Sequence, residues 1–235
     1  GAHNSASGPA STVSGGWNNL ASGESASVGG GDYNIAGAAY ATIAGGGPSD
    51  PNDPTNTNNR VTDNYGAIGG GGGNQAGDGD SDPTNAYFAT VGGGWANVAS
   101  GDSATIAGGT SNAAGGAAAV GGGMFNTASG SYATIGGGQN NTANAWYSTV
   151  GGGITNVASQ QSATVGGGAS NTASGVYAAV GGGQSNTASG NAATIGGGWS
   201  NTAAAAYATI AGGGQIDGPG PQGNRVTDDY GVIGG

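Results

Sequence analysis

The sequence predicts an all-β protein, a parallel β-solenoid or β-roll built from 15-residue coils with two short strands per coil. One observation is a period, because a Val or Ile followed by glycines recurs in steps of 15, as at Val150, Val165 and Val180. A second is that an Asn, followed two residues later by an Ala, keeps the same period. The third is composition: 58 of 235 residues are Gly, and Gly runs beside β-branched residues oppose helix. A register this constant indicates a repeat fold.

The repeating unit reads Asn-Thr-Ala-Ser-Gly-x-Tyr-Ala-Thr-Ile-Gly-Gly-Gly-x-x, and its positions are numbered here from one at Asn to fifteen. One short strand is expected around positions one to four and the other around positions seven to ten. The Gly of position five and the Gly run of positions eleven to thirteen are expected to form the turns, because Gly adopts positive φ at little cost. Each unit then makes one coil.

Alternation along a strand places positions three, eight and ten in the interior and positions two, seven and nine on the outside. The predicted core therefore includes Ala128, Ile135, Ala143, Val150, Ala158, Val165, Ala173, Val180, Ala188 and Ile195. The recurring Asn predicts a ladder of stacked side-chain amides. Because a bore of Ala and one larger residue buries little apolar area, we expect the Tyr of position seven and the apolar residues of position two to pack against other copies, in an obligate homo-oligomer.

Three irregular insertions interrupt the period, near 48–64, 77–87 and 215–229. The motif Asn-Arg-Val-Thr-Asp occurs in the first and third, with Arg60 and Arg225 lying 165 residues apart. We therefore expect one continuous repeat domain over 1–235, cut from a longer chain. Each Arg precedes an Asp by three residues, which predicts loop ion pairs between Arg60 and Asp63 and between Arg225 and Asp228. The alternative is that the two Arg side chains bind an acidic ligand.

Composition excludes several kinds of chemistry. The chain has no Cys, one His and two basic residues against twelve acidic ones, a net charge of -10. Thiolate metal sites and Cys nucleophiles are thereby excluded, and nucleic acid or an anionic membrane surface is disfavoured as a partner. The Gly-Gly-Gly runs lack the Lys of a phosphate loop and recur once per coil, so they are expected to be turns. We expect no enzymatic activity and no catalytic residues.

An acidic run offers the one candidate cofactor site, for calcium. Asp78, Asp80 and Asp82 stand at alternate positions, a spacing that calcium loops use to supply oxygen ligands, and Asp50 and Asp53 form a looser pair in the neighbouring insertion. The alternative is a solvated acidic loop that binds no metal. Both interpretations remain open from the sequence.

A Trp recurs just after the glycine turn, at position fourteen, in Trp17, Trp95 and Trp199. Exposed Trp rings at this corner would suit sugar stacking, whereas buried ones would pack against a neighbouring chain. Packing is the interpretation that we favour.

The segments Ala128-Ser129-Gly130 and Ala133-Thr134-Ile135-Gly136 resemble the head repeats of trimeric autotransporter adhesins. The likeness covers nearly the whole chain outside the insertions, with units of 15 residues where the family has 14. It implies a left-handed parallel β-roll, three intimately packed chains and an extracellular, surface-attached location. No catalytic residue is carried over.

These observations predict an extracellular structural or adhesive fibre, a repetitive head or filament that displays acidic loops at a cell surface. The expected partners are further copies of the chain, as a homotrimer or an end-to-end filament, and a host cell, matrix or surface ligand that contacts the loops. Membrane attachment is expected only through an anchor outside these residues. The alternative is a phage tail fibre or tailspike shaft, and less favoured are an ice-binding solenoid, suggested by the Thr of position nine, and a polysaccharide-degrading β-solenoid.

Overall fold

A computed structural model describes residues 1–214 and 223–234. Within these residues the protein contains 28 strands of two residues each and no helix. The odd-numbered strands form one parallel sheet and the even-numbered strands a second, so the chain is a parallel β-solenoid of about 14 coils. The predicted fold class, coil length and pair of strands per coil are thereby confirmed.

The chain divides into two compact units, Gly1–Phe125 and Asn126–Gly235. In the first unit, strands at positions two and three alternate along the chain with strands at positions nine and ten. They are β1 (Ser5–Ala6), β2 (Thr12–Val13), β3 (Leu20–Ala21), β4 (Ser27–Val28), β5 (Ile35–Ala36), β6 (Thr42–Ile43), β7 (Arg60–Val61), β8 (Ala67–Ile68), β9 (Gln75–Ala76), β10 (Thr90–Val91), β11 (Val98–Ala99), β12 (Thr105–Ile106), β13 (Ala113–Ala114) and β14 (Ala119–Val120).

The second unit repeats this arrangement. Its strands are β15 (Thr127–Ala128), β16 (Thr134–Ile135), β17 (Thr142–Ala143), β18 (Thr149–Val150), β19 (Val157–Ala158), β20 (Thr164–Val165), β21 (Thr172–Ala173), β22 (Ala179–Val180), β23 (Thr187–Ala188), β24 (Thr194–Ile195), β25 (Thr202–Ala203), β26 (Thr209–Ile210), β27 (Arg225–Val226) and β28 (Val232–Ile233). Within each unit, successive strands of one sheet lie two apart along the chain and pair in parallel, as Ile135 of β16 does with Val150 of β18. Residues at one position of the repeat therefore form a column.

Small and branched apolar side chains fill the interior of the solenoid. The ten predicted core residues, five Ala of position three and five Val or Ile of position ten, are each at most 1% exposed. The Ala of position eight is buried as well, for example Ala133 and Ala163. Because Ala alternates with one larger side chain, the two sheets approach closely around a narrow core.

The Asn column forms a buried amide ladder, as the repeat suggests. Asn156 is typical: its backbone NH donates to Asn141 Oδ1 at 3.0 Å, and its own Oδ1 accepts from the NH of Asn171 at 2.9 Å. Its Nδ2 donates to the carbonyl oxygens of Gly152 and Gly168. One amide thus satisfies backbone groups in its own coil and in both neighbouring coils, which ties the first strand to the glycine turn.

The turns differ from the prediction. The Tyr of position seven does not extend the second strand but occupies the left-handed region, with φ of 57° at Tyr40 and 60° at Tyr132. Position fifteen is also left-handed, for example at Asn18, Tyr33 and Ser170. In every regular coil, non-Gly residues therefore adopt a positive φ, which such residues usually disfavour. The sequence pattern alone gave no sign of this.

Gly at position thirteen is required by close approach as well as by φ. At Gly168, φ is 90° and an added Cβ would lie 2.1 Å from the carbonyl oxygen of Gly183 in the next coil. Position fourteen then forms a single parallel bridge to its counterpart, as Ile154 does with Ala169. This third line of pairing, which sequence reasoning missed, closes the coil between its two sheets.

The insertions are shorter than predicted, because each NRVTD motif belongs to a coil. Asn59 joins the amide ladder through Asn34 and Asn74, and Val61 occupies position three with no exposed surface. The irregular part of the first insertion is therefore 48–58. The second is 78–85, since Gly77 continues the coil and Ala86 is buried. In the third, 215–222 lie outside the described residues and the coil is regular again from Asn224, whose NH donates to Asn201 Oδ1.

Candidate functional site

Tyrosine side chains at position seven form exposed stacks, called here the tyrosine columns. In the first unit Tyr40 stacks on Tyr65 at 4.9 Å between ring centroids, and Tyr65 stacks on Phe88 at 5.1 Å. Their exposed fractions are 46%, 46% and 55%. The left-handed turn places these rings side by side at a corner of the coil, where aromatic contact compensates part of the backbone strain.

The second unit carries equivalent columns. Tyr132 stacks on Tyr147 at 5.1 Å with an interplanar angle of 9°, and Tyr207 stacks on Tyr230 at 4.9 Å and 3°. These rings also remain exposed. The two stacks are separated at position seven by Ser162, Tyr177 and Ala192. Exposed apolar patches are a feature of surfaces that contact other molecules.

The corner at positions fourteen and fifteen is exposed and apolar too, but less regular. Trp17 and Trp95 are 45% and 50% exposed, whereas Trp199 is half-buried. Trp17 contacts the ring of His3 edge-on at 4.7 Å. The Trp residues therefore do not form a continuous ladder, because other residue types alternate with them at position fourteen.

The predicted ion pairs are not formed among the described residues. Arg60 lies in strand β7 at position two, in register with Ile35 and Gln75, and its Nε is buried without a hydrogen-bond partner. Asp63 is 1% exposed, and its Oδ2 accepts hydrogen bonds from Thr62 Oγ1 and from the NH of Asp78. The Arg side chain projects from the outer face of a sheet while the carboxylate lies in a turn beneath the second insertion, which explains their separation.

In the last coil Arg225 has the equivalent place in strand β27, and both Arg225 and Asp228 are exposed. The neighbouring Asp229 forms a hydrogen bond instead, accepting from the NH of Ala206 at 3.0 Å. Asn64 does the same for Ala39 in the first unit. Asn64 and Asp229 thus each link their own coil to the preceding one.

The three carboxylates of the acidic run organise their own loop. Asp78 Oδ1 accepts from the NH of Asp80, Asp80 Oδ1 from the NH of Asp82, and Asp82 Oδ1 from the NH of Thr84. These are successive side-chain-to-backbone turns of the kind that Asp favours. The hydrogen bonds from the Thr84 side chain and then from its backbone NH hold the pKa of Asp82 below its ordinary value of 3.8.

The first insertion, 48–58, is organised around a Thr hydroxyl. Thr57 Oγ1 donates to the carbonyl oxygen of Asp53 at 2.7 Å and accepts from the NH of Asp50 at 3.0 Å. The two carboxylates bind neighbouring amides, Asp50 that of Asn52 and Asp53 that of Asn56. The loop is thus held by its own short-range hydrogen bonds.

No group of three or more His, Cys, Asp or Glu side chains that would suit a metal ion occurs within 1–214 and 223–234. Calcium binding by Asp78, Asp80 and Asp82, or by Asp50 and Asp53, stays a prediction. In the same residues the structure contains no helix long and apolar enough to cross a membrane.

A cavity of about 380 Å³ lies between the first insertion and the outer face of the first sheet. Residues at positions fifteen and two of successive coils form its floor, and residues of the insertion form its wall. The lining residues are Asn18, Leu20, Tyr33, Ile35, Thr55 and Asn58. From the sequence, Leu20 and Ile35 are expected to face outward at position two and to pack against another chain. The cavity itself was not predicted, because only the folded insertion brings Thr55 and Asn58 over these two residues.

Comparison of the sequence with protein-family models and with curated proteins found no match.

Proposed function

We propose that this chain is a structural and adhesive module of an extracellular fibre, which associates as a homotrimer and displays its irregular loops at a cell surface. The observation that carries the proposal is the set of tyrosine columns, which leave stacked aromatic rings open to solvent in both units. Exposed aromatic area at this density favours association. The resemblance to trimeric autotransporter heads supports three copies and an extracellular setting.

The isolated chain already buries its own core, since Ile135, Val150 and Val165 have no exposed surface. Association therefore adds stability to a coil that is complete in one chain and does not supply missing core residues. The tyrosine columns are therefore the surface that we propose to contact other copies of the chain.

The position-two face is a poorer contact in the first unit. The insertion 48–58 stands over Leu20 and Ile35 there and forms the wall of the cavity, which obstructs flat packing of another chain. In the first unit the second insertion, 78–85, also borders the tyrosine column, since the carbonyl oxygen of Pro83 accepts from the NH of Asn64 beside Tyr65. In the second unit no insertion separates Tyr132 from Tyr147, and position seven carries no charged residue in either unit. We propose that three copies lie around a common axis with these columns facing it.

Adhesion in this arrangement depends on repetition. Each chain presents the loops 48–58 and 78–85, so a trimer presents three copies of each, and weak single contacts combine into firm attachment. The carboxylates of these loops face solvent for the most part, which keeps neighbouring fibres apart by repulsion.

Sedimentation equilibrium of the purified chain tests the assembly. The proposal predicts a mass three times the 21.6 kDa of one chain. A concentration-independent mass of one chain would contradict it. Beads coated with the protein at high and low density then test adhesion, and the proposal predicts that attachment to cells falls more steeply than density.

A further inference from the structure

The cavity beside the first insertion has the composition of a small-molecule site. Tyr33, Leu20 and Ile35 supply an aromatic and aliphatic surface, and Asn18, Thr55 and Asn58 supply amide and hydroxyl groups. Its volume, about 380 Å³, falls within the usual range for ligand pockets, roughly 300–1,000 Å³.

The polar side chains that line the cavity are available for hydrogen bonding to a ligand. Among the described residues, no side-chain hydrogen bond is formed by Asn18, Thr55 or Asn58, although Asn58 is only 5% exposed. Buried amides in folded proteins nearly always have partners, so an unsatisfied one calls for an explanation. The Oδ1 of Asn58 is unpaired and inaccessible to solvent. Rotation of this amide would turn its oxygen or nitrogen into the cavity, where a ligand with hydrogen-bonding groups of its own would satisfy it.

We infer that this cavity binds a neutral pyranose unit of a polysaccharide, with the sugar's C–H face on Tyr33 and Ile35 and its hydroxyls on the amides of Asn18 and Asn58. A sugar ring combines an apolar face with an edge of donors and acceptors, which matches the lining. None of the six lining residues is charged, so the lining suits a neutral sugar better than an anionic one. Arg60 follows Ile35 in register but does not line the cavity.

A peptide ligand fits less well. Strands β3 and β5 are paired on both sides, β3 with β1 and β5, and β5 with β3 and β7. The floor of the cavity thus offers no free strand edge to which an extended peptide could add. Recognition there depends on side chains, as it does for sugars.

The inference rests on the adhesive role proposed above and names its ligand class. The experiment is a titration of the labelled full chain with cellohexaose, maltohexaose or chitohexaose, followed by methyl and side-chain amide NMR. We expect at least one of these neutral probes to shift the signals of Leu20, Ile35 and Asn58. A heparin hexasaccharide is expected to cause no such shifts.

Variants locate the site. Tyr33→Ala is expected to weaken binding about tenfold or more. Phe125→Ala, which removes an exposed ring outside both the cavity and the tyrosine columns, leaves binding unchanged. Ile35→Thr is a second variant that suits the fold, since Thr fills the same position in β15, β17, β21, β23 and β25. It is expected to weaken binding severalfold, and Asn58→Ala likewise.

Three results would each overturn the inference: no shift with any neutral probe at about 10 mM, binding of the heparin fragment alone, or full binding by Tyr33→Ala and Ile35→Thr. A trimer that binds no sugar would refute the sugar site and leave the fibre proposal standing. A monomer that binds sugar at Tyr33 would refute the homotrimer and leave the sugar site standing.

Discussion

The rings of Tyr40 and Tyr65 lie 4.9 Å apart at an interplanar angle of 3°, although 25 residues separate them in the chain. Strands β6 and β8 pair across the same separation, Thr42 with Ala67 and Ile43 with Ile68. The insertion 48–58 is therefore looped out of the solenoid without changing the register of the coils on either side. A loop that leaves the register intact is free to vary in sequence and length.

Two adjacent glycines should differ sharply in tolerance to Ala. At Gly168 an added Cβ meets the backbone of Gly183 and φ is 90°, whereas at Gly167 the nearest atom is 3.9 Å away. We expect Gly168→Ala to lower the free energy of unfolding by about 2 kcal/mol or more, and Gly167→Ala to change it by less than about 1 kcal/mol. Denaturant unfolding measures both. Equal losses would mean that position thirteen does not approach the next coil closely.

The amide ladder should be sensitive to single substitutions. Asn156→Ala removes the partners of Gly152 O and the NH of Asn171, and one of the two donors to Gly168 O, which keeps the NH of Ile154. Because the first two groups are then left unsatisfied, we expect a loss of about 2–4 kcal/mol in the free energy of unfolding. Asn191→Ala is the matched control, since Asn191 is exposed at position six. A loss at Asn156 no larger than at Asn191 would refute the ladder's structural role.

The Val and Ile residues of position ten should be sensitive to truncation, because they lie in a close-packed core. Ile135 has no exposed surface, whereas Ile154 is 53% exposed at position fourteen. Ile135→Ala is expected to cost about 2–5 kcal/mol of unfolding free energy, and Ile154→Ala about 0.5 kcal/mol or less. Thermal and denaturant unfolding of both variants test this. Similar losses in the two variants would mean that position ten is no more deeply buried than position fourteen, which would contradict the assignment of the core.

The acidic loop should show one altered titration. Hydrogen bonds from Thr84 lower the pKa of Asp82 below 3.8, so the ionised carboxylate favours the folded turn. This contribution is present above the ordinary pKa and is lost as the pH falls through the lower, folded-state pKa. Thr84→Val removes the larger cause and should raise the pKa of Asp82 toward 3.8, as followed by carboxyl 13C NMR.

Thr84→Ser is the control, because it keeps the hydroxyl. It should leave the titration of Asp82 where it is in the unchanged chain. If the Val and Ser variants titrate alike, the Thr84 hydroxyl is not what lowers this pKa.

The period of 15 was enough to predict the coil, its two strands and its core, because one column of identical residues allows only one parallel register. The spacing between Asn59 and Asn74 is also 15, and it could have revealed that Arg60 and Val61 belong to a strand. Their unusual side chains, together with Val in place of Ala at position three, concealed this.

The left-handed turns and the cavity could not be predicted in the same way. Tyr40 and Tyr132 have φ values that their residue type disfavours, and only the coil as a whole, through its ladders and stacked rings, holds them there. The cavity depends on how residues 48–58 fold back over Leu20 and Ile35, which the repeat does not encode. Periodicity predicts the scaffold well and the irregular segments poorly.

The central claim is that copies of the chain meet along their tyrosine columns, and cysteine cross-linking tests it most directly. The chain contains no Cys, so Tyr132→Cys and, as a control, Gln139→Cys each introduce a single thiol at an exposed position. Under mild oxidation the account predicts rapid formation of disulfide-linked dimers by Tyr132→Cys and little by Gln139→Cys. Equal, slow cross-linking of both variants would contradict it.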